Sequence, residues 1–149
     1  MTVLALGLNH RSAPLDLRAR LAFPAPQLGA VLQGLRERLA RAVPEATLLS
    51  TCNRTELYVA SEHVAAPADI AAPALDWLAE QGGFSRAQLA EHIYVAEDTA
   101  AARHAFRVAA GLDSMVLGEP QILGQIKQAV REAGLAGTLG STLHQLFQR

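Results

Sequence analysis

The chain has 149 residues, half of them apolar and 18% charged, which excludes a disordered segment and supplies one domain with a real core. The net charge of −1 excludes a strongly electropositive nucleic-acid binder by totals, though a local basic patch is compatible with it. A single cysteine excludes an internal disulfide and a cysteine-based zinc cluster, and suits a reducing, cytoplasmic setting.

Met1 to Leu4 opens an apolar run with no basic segment before it, and no run approaches the ~18 apolar residues of a membrane helix, so neither a signal peptide nor membrane attachment is expected. Val3 to Leu8 reads as a buried strand. Asn9 to Pro14 is a polar loop. Pro14 suits the first turn of a helix with Ser12 as its cap; that helix runs through Leu15, Leu17 and Leu21, with Arg18 and Arg20 on the wet face. Phe23 to Pro26 breaks it. A second helix over 26–41 carries Leu28, Val31, Leu32, Leu35 and Leu39, the stripe of a helix lying on a sheet. After Val43-Pro44-Glu45, Ala46 to Leu49 forms a second buried strand.

Glu56 to Ser61 is the next strand, so the three or four residues between form a hairpin. Residues 64–69 are an Ala/Pro linker. A helix over 70–81 turns Trp77 and Leu78 inward and stops at Gly82-Gly83. Ser85 caps a short helix to Glu91, and His92 to Val95 is a last strand. The order predicts an α+β fold, a ferredoxin-like split βαβ sandwich, followed by C-terminal helices. One helix covers 98–110, and another starts at Glu119-Pro120 and runs through Ile122, Ile126, Ala129 and Val130. Gly134 to Gly140 reads as a loop and Thr142 opens a final helix. The chain is a single domain over 1–149, with the sandwich over 1–96 and a helical extension over 97–149.

Cys52 stands at the mouth of the second strand, two residues before Arg54. A nearby cation lowers a thiol pKa, and the thiolate is the nucleophile. Free cysteine is more often a small buried hydrophobe, but Asn53, Arg54, Thr55 and Glu56 are polar, so the backbone leaves the core just at the thiol. His104, on the 98–110 helix, is either a satisfied structural histidine or a base or polarising group near that thiol. His63 and His144 lie in polar contexts without a role, and His92 is expected to be half exposed.

The spacings give no metal site and no Gly-x-Ser-x-Gly elbow. A second polar segment gathers Ser114, Glu119, Gln121 and Gln125 around two glycines and Pro120. Gln121 and Gln125 lie one turn apart, as a binding pair or as a solvated face. Glycines at 134, 137 and 140 follow a helix, not a strand, and are no dinucleotide fingerprint.

The stretches Gly7-Leu8-Asn9-His10-Arg11-Ser12-Ala13-Pro14, Leu49 to Tyr58, and Gly111-Leu112-Asp113-Ser114 through Gly118 to Gln125 together closely resemble glutamyl-tRNA reductases. The resemblance covers essentially the whole chain but only that family's N-terminal catalytic domain, so the NADPH-binding and dimerising domains are expected to be missing. It implies that Cys52 attacks the ester carbonyl of glutamyl-tRNA and that hydride from NADPH, bound by another domain, reduces the thioester to glutamate-1-semialdehyde for tetrapyrrole synthesis. It further implies that Arg54 holds a glutamyl carboxylate, that Thr51, Asn53, Ser114, Glu119, Pro120, Gln121 and Gln125 recognise substrate, and that His104 is needed for activity. The chain alone is expected to acylate and hydrolyse but not to reduce. The full-length protein is expected to be a homodimer and a partner of glutamate-1-semialdehyde aminotransferase, and the 149-residue chain a monomer. Two other readings are a non-catalytic tRNA-binding module, for which Arg11, Arg18, Arg20, Arg36, Arg38 and Arg41 are the only basic candidates, and a hydrolytic cysteine enzyme.

Overall fold

Strand segments from the first two thirds of the chain build one sheet with two covered faces. The computed structural model describes residues 2–39, 45–51, 53–61, 68–109 and 121–136. Its elements are β1 (Thr2–Asn9), α1 (Leu15–Arg20), α2 (Ala25–Leu39), β2 (Glu45–Ser50), β3 (Arg54–Ser61), α3 (Ala68–Gly82), α4 (Arg86–Ala90), β4 (Tyr94–Glu97), α5 (Thr99–Ala109) and α6 (Gln121–Ala136). The four strands form an antiparallel sheet in the order β2-β3-β1-β4.

Successive strand residues point to opposite faces, and the chain uses both. Leu4, Leu6, Leu8, Leu48, Leu57 and Val59 face a core shared with Leu17, Leu28, Leu32, Leu35, Ile70, Trp77, Leu78 and Leu89 from the first four helices. Ala5, Leu49, Tyr58 and Ala60 face Ala101, Ala105, Val108, Ile126 and Ala129 of α5 and α6. Each fully buried leucine contributes roughly 1.5–3 kcal/mol, so the first face anchors the fold. The second is lined by smaller residues and has room for polar side chains. On that face α6 lies along β2, and Thr47 Oγ1 donates to the Ala129 carbonyl (2.9 Å).

Helix ends follow local chemistry. Gly83, at φ +73°, ends α3, and the Phe84 N–H reaches back to the Ala79 carbonyl (2.9 Å) while the Gly83 N–H reaches Glu80 (3.3 Å), a Schellman closure. α4 has only five residues and opens on a reciprocal capping box between Ser85 and Gln88. Ser85→Ala should destabilise the chain by about 1 kcal/mol, read as a shifted midpoint in chemical denaturation.

Several expectations are corrected. Ser12 does not cap α1, whose N-cap is Pro14 without a side-chain bond. Its hydroxyl instead accepts the Asn9 N–H (2.9 Å), while Asn9 Oδ1 accepts the N–H groups of Arg11 (2.9 Å) and Ser12 (3.1 Å); the two side chains brace the loop, and the helix starts without them. Leu15 is 66% exposed, because a six-residue helix brings only Leu17 and the following Leu21 to the core. The last strand is Tyr94–Glu97, two residues later than expected. Half-buried His92 precedes it and bonds through Nδ1 to the Ser12 carbonyl (2.9 Å). α6 runs through Gly134 to Ala136, where a loop was expected; Ala133 is still buried while Leu135 is 78% exposed. Residues 40–44, the 62–67 part of the linker, and the expected helix from Thr142 lie outside the described residues.

Candidate functional site

The third strand starts at Arg54, not Glu56. Polar residues were expected to mark the chain leaving the core, yet Arg54, Thr55 and Glu56 are all buried, at 1%, 2% and 0% exposure. Each is buried because it is satisfied. Thr55 points to the α1–α4 face and donates from Oγ1 to the Leu21 carbonyl (2.8 Å). Arg54, Glu56 and Tyr58 alternate with it and so share the α5/α6 face.

Glu56 is the centre of this group. Its Oε1 accepts from Arg54 Nη1 (3.3 Å) and from the Tyr58 hydroxyl (3.3 Å). Its Oε2 accepts from the Tyr94 hydroxyl (2.7 Å) and from His104 Nε2. The Tyr94 and His104 rings lie 5.3 Å apart, tilted by 57°. Three elements therefore meet on one carboxylate: β3 supplies Arg54 and Tyr58, β4 supplies Tyr94, and α5 supplies His104.

The space for it comes from Gly7. In the sheet Gly7 pairs with Glu56 on one side and with Tyr94 on the other. A Cβ at Gly7 would lie 2.4 Å from the Thr55 carbonyl oxygen, 2.9 Å from Glu56 Cα and 3.0 Å from Glu56 Cγ. The missing side chain lets Glu56 lie over β1 and meet Tyr94 two strands away.

Burial alone pushes the Glu56 carboxyl up, but the hydrogen bond and charge of His104, the Arg54 guanidinium and the Tyr94 hydroxyl together outweigh it and hold the carboxyl below its ordinary value of 4.5. Glu56 is thus an anion in the fold, which agrees with four neighbours able to donate to it. Tyr58 moves the other way: burial, then the Glu56 charge, pushes its phenol well above 10, so it stays a neutral donor. His104 keeps 18% side-chain exposure against 0% for Glu56, so the network reaches the surface at α5.

The hairpin beside this network is the short connection Thr51–Asn53 between β2 and β3. The Thr51 N–H donates to the Arg54 carbonyl (2.8 Å). Thr51 Oγ1 accepts from the N–H groups of Asn53 (3.1 Å) and Arg54 (3.2 Å), so this hydroxyl shapes the loop. On the β2 side Ser50 Oγ accepts the Phe23 N–H (2.8 Å).

Of the expected site residues, the structure brings Arg54 and His104 together on Glu56, and sets Thr51 and half-buried Asn53 in the adjoining hairpin. Gln125 is half-buried on α6. Cys52, Ser114, Glu119 and Pro120, and the Gln121 side chain, lie outside the described residues, as do His63 and His144. Reading residues singly missed Glu56, Tyr58, Tyr94 and Gly7. Two signals pointed to them: Arg-x-Glu-x-Tyr is a polar column at the period of a strand, and a lone glycine in an apolar strand marks a close approach. Among the described residues, no three His, Cys, Asp or Glu side chains are grouped to hold a metal ion. An open cleft of about 420 Å³, lined by Leu17, Phe84, Ala87, Gln88, Glu91 and His92, belongs to the other side of the sheet.

Comparison with known proteins agrees with the motifs. The model of the glutamyl-tRNA(Glu) reductase N-terminal domain matches residues 6–149. Glutamyl-tRNA reductase of Polaromonas sp. (strain JS666) is 63% identical over 149 residues, covering 100% of this chain and 34% of its own length. The Acidovorax sp. (strain JS42) protein of the same name is 57% identical over 158 aligned residues, covering 100% of this chain and 34% of its own length. The solved glutamyl-tRNA reductase from Methanopyrus kandleri superposes with a TM-score of 0.69 at 28% identity, over 98% of this chain and 31% of that one. The chain spans about a third of the length of the curated relatives it matches.

Proposed function

The chain belongs to the glutamyl-tRNA reductase N-terminal domain family, and from that premise we propose that it is the part of such a reductase that binds the glutamyl end of charged tRNA and forms an acyl-enzyme on Cys52. The observation that carries this is the convergence of Arg54 and His104 on one buried carboxylate, beside the Thr51–Asn53 hairpin in whose sequence Cys52 stands. A guanidinium suits a substrate carboxylate through its planar fork; Arg54 is buried on Glu56 here, so in this reading the fork must be uncovered for the glutamyl carboxylate to reach it. The imidazole supplies a proton acceptor and donor.

In this reading the Cys52 thiolate attacks the ester carbonyl carbon. A carbon–sulfur bond forms, the carbon–oxygen bond to the terminal ribose breaks, and the ribose oxygen leaves with a proton. The thioester that remains is more electrophilic than a carboxylate. The family resemblance assigns recognition of the glutamyl group to Thr51, Asn53, Arg54, Ser114, Glu119, Pro120, Gln121 and Gln125. NADPH would supply hydride to the thioester carbonyl carbon; the carbon–sulfur bond would then break, giving the aldehyde and returning the sulfur to Cys52 as thiolate. Among the described residues nothing fits that cofactor, since Gly134 lies inside α6 and not after a strand; in this reading the dinucleotide is held by the part of the relatives beyond this span. Tetrapyrrole synthesis, a homodimer of the longer protein, the aminotransferase partner and a cytoplasmic location belong to the same reading. Among the described residues no helix is long and apolar enough to cross a membrane. We also read the sheet order, with helices between β1 and β2 and between β3 and β4, as the ferredoxin-like split βαβ of a single domain.

The test is mass spectrometry of the chain after mixing with glutamyl-tRNA. A glutamyl adduct should appear, map to Cys52, and decay slowly to free glutamate. Alanyl-tRNA should give far less, since nothing would answer the Arg54 fork. Equal labelling by both, or an adduct elsewhere, would contradict the assignment.

A further inference from the structure

The reading above gives Arg54 and His104 roles but leaves the group that joins them without one. We propose that Glu56 is the positioning residue of this site, its Oε2 pinning His104 in the Nε2–H tautomer so that Nδ1 is the nitrogen that exchanges protons, and its Oε1 setting the Arg54 guanidinium. The inference rests on the acyl-transfer reading for its consequence, but not for its geometry.

A carboxylate ion can only accept hydrogen bonds. Facing it, His104 Nε2 must therefore carry a proton, whatever the state of Nδ1. An imidazole held this way has a fixed ring orientation and a fixed basic nitrogen, as a carboxylate behind a histidine provides in many sites. Oε1 holds an arginine, which can only donate, two residues back on the same strand face. One side chain thus sets the acid–base group from α5 and the carboxylate-gripping group from β3 at once. The arrangement is rigid: Glu56 is wholly buried, and Tyr58 and Tyr94 fill its remaining acceptor positions. Gly7 lies beneath it, where a methyl group would displace it.

Glu56→Gln makes the idea sharp. An amide has one acceptor oxygen. Arg54 cannot accept, so the oxygen turns to Arg54 and the NH2 group faces His104. Nε2 must then accept, and the proton moves to Nδ1. Imidazole 15N chemical shifts read this directly. The native chain should show His104 as Nε2–H, the Glu56→Gln chain should show it as Nδ1–H, and the rate of Cys52 acylation by glutamyl-tRNA should fall by about a hundredfold, the low end of the contribution from a placed base. Tyr94→Phe removes a donor but leaves the carboxylate, so it should keep the Nε2–H tautomer. A native His104 protonated only at Nδ1, or a tautomer inverted in Glu56→Gln with the acylation rate unchanged, would overturn the proposal. If Glu56→Gln does not fold, the native tautomer and its persistence in Tyr94→Phe decide the matter. If the native chain shows Nε2–H but is not acylated, the acyl-transfer reading fails and takes the catalytic consequence with it, while the hold on His104 stands.

Discussion

Glu56→Ala is expected to lower the unfolding free energy by about 3–5 kcal/mol, because it takes a carboxylate away from the buried Arg54 charge. Arg54 is 1% exposed and forms an ion pair with Glu56. The Tyr58 hydroxyl, also sealed from solvent, loses an acceptor at the same time, which adds to the cost. Urea denaturation followed by far-UV circular dichroism measures the loss; a change below about 1 kcal/mol would mean that the guanidinium is satisfied without Glu56. The native chain should also show an acid limb that the variant lacks. The Glu56 carboxyl is held below 4.5 in the fold and returns to its ordinary value when the chain unfolds. The unfolded state therefore binds the extra proton first. The stabilisation is present above about pH 4.5 and is lost as pH falls from there through the folded-state value. Replacing both partners by apolar residues, as in Arg54→Met with Glu56→Leu, should recover part of the loss, since a buried pair adds little net stability over apolar packing. A pair that is costly to break and cheap to replace points to selection for what it positions.

Much of the scaffold was legible because it rests on local periodicity. The Leu28, Leu32 and Leu35 stripe, the Ser85–Gln88 box and the Gly82-Gly83 stop each depend on residues within a turn or two of one another. The start of β3 was not legible by the same rule. Polarity alone placed Arg54 to Glu56 outside the core, while Thr55 is satisfied by the Leu21 carbonyl and Glu56 by Tyr94 and His104, 38 and 48 residues further along the chain. Likewise His104 could be read as structural or functional, and its bond to Glu56, 48 residues away in the chain, is compatible with both readings. Arg54 was legible as a cation near Cys52, but its placement on Glu56 follows from strand register, which a motif does not carry. Thr51 was expected among the substrate contacts; its hydroxyl also shapes the hairpin, so a loss of activity on replacing it would report loop geometry as well as contact.

Gly7→Ala should be nearly as damaging as the loss of Glu56 itself, at about 3 kcal/mol, the upper end of the usual cost of overpacking a tight site. The added methyl would stand 2.4 Å from the Thr55 carbonyl oxygen and 2.9 Å from Glu56 Cα. Both contacts are backbone in the paired strand, so no rotamer change relieves them. Either β1 and β3 separate at this pair, weakening the bonds between two central strands, or the Glu56 side chain leaves the position over β1 and abandons Tyr94 and His104. Cross-strand glycine is ordinarily a weak point in a sheet; here it is the condition for seating a carboxylate between three strands. The two residues should therefore be coupled. In a Glu56→Ala background the Cγ contact at 3.0 Å disappears and there is no network left to displace, so Gly7→Ala should cost less there by about 0.5–3 kcal/mol, the range seen for residues in contact. Denaturation midpoints of the two single variants and the double variant give that coupling. Strict additivity would show that Gly7 serves the strand pairing alone, and a Gly7→Ala chain of native stability would show that β1 does not hold Glu56 as closely as its register requires.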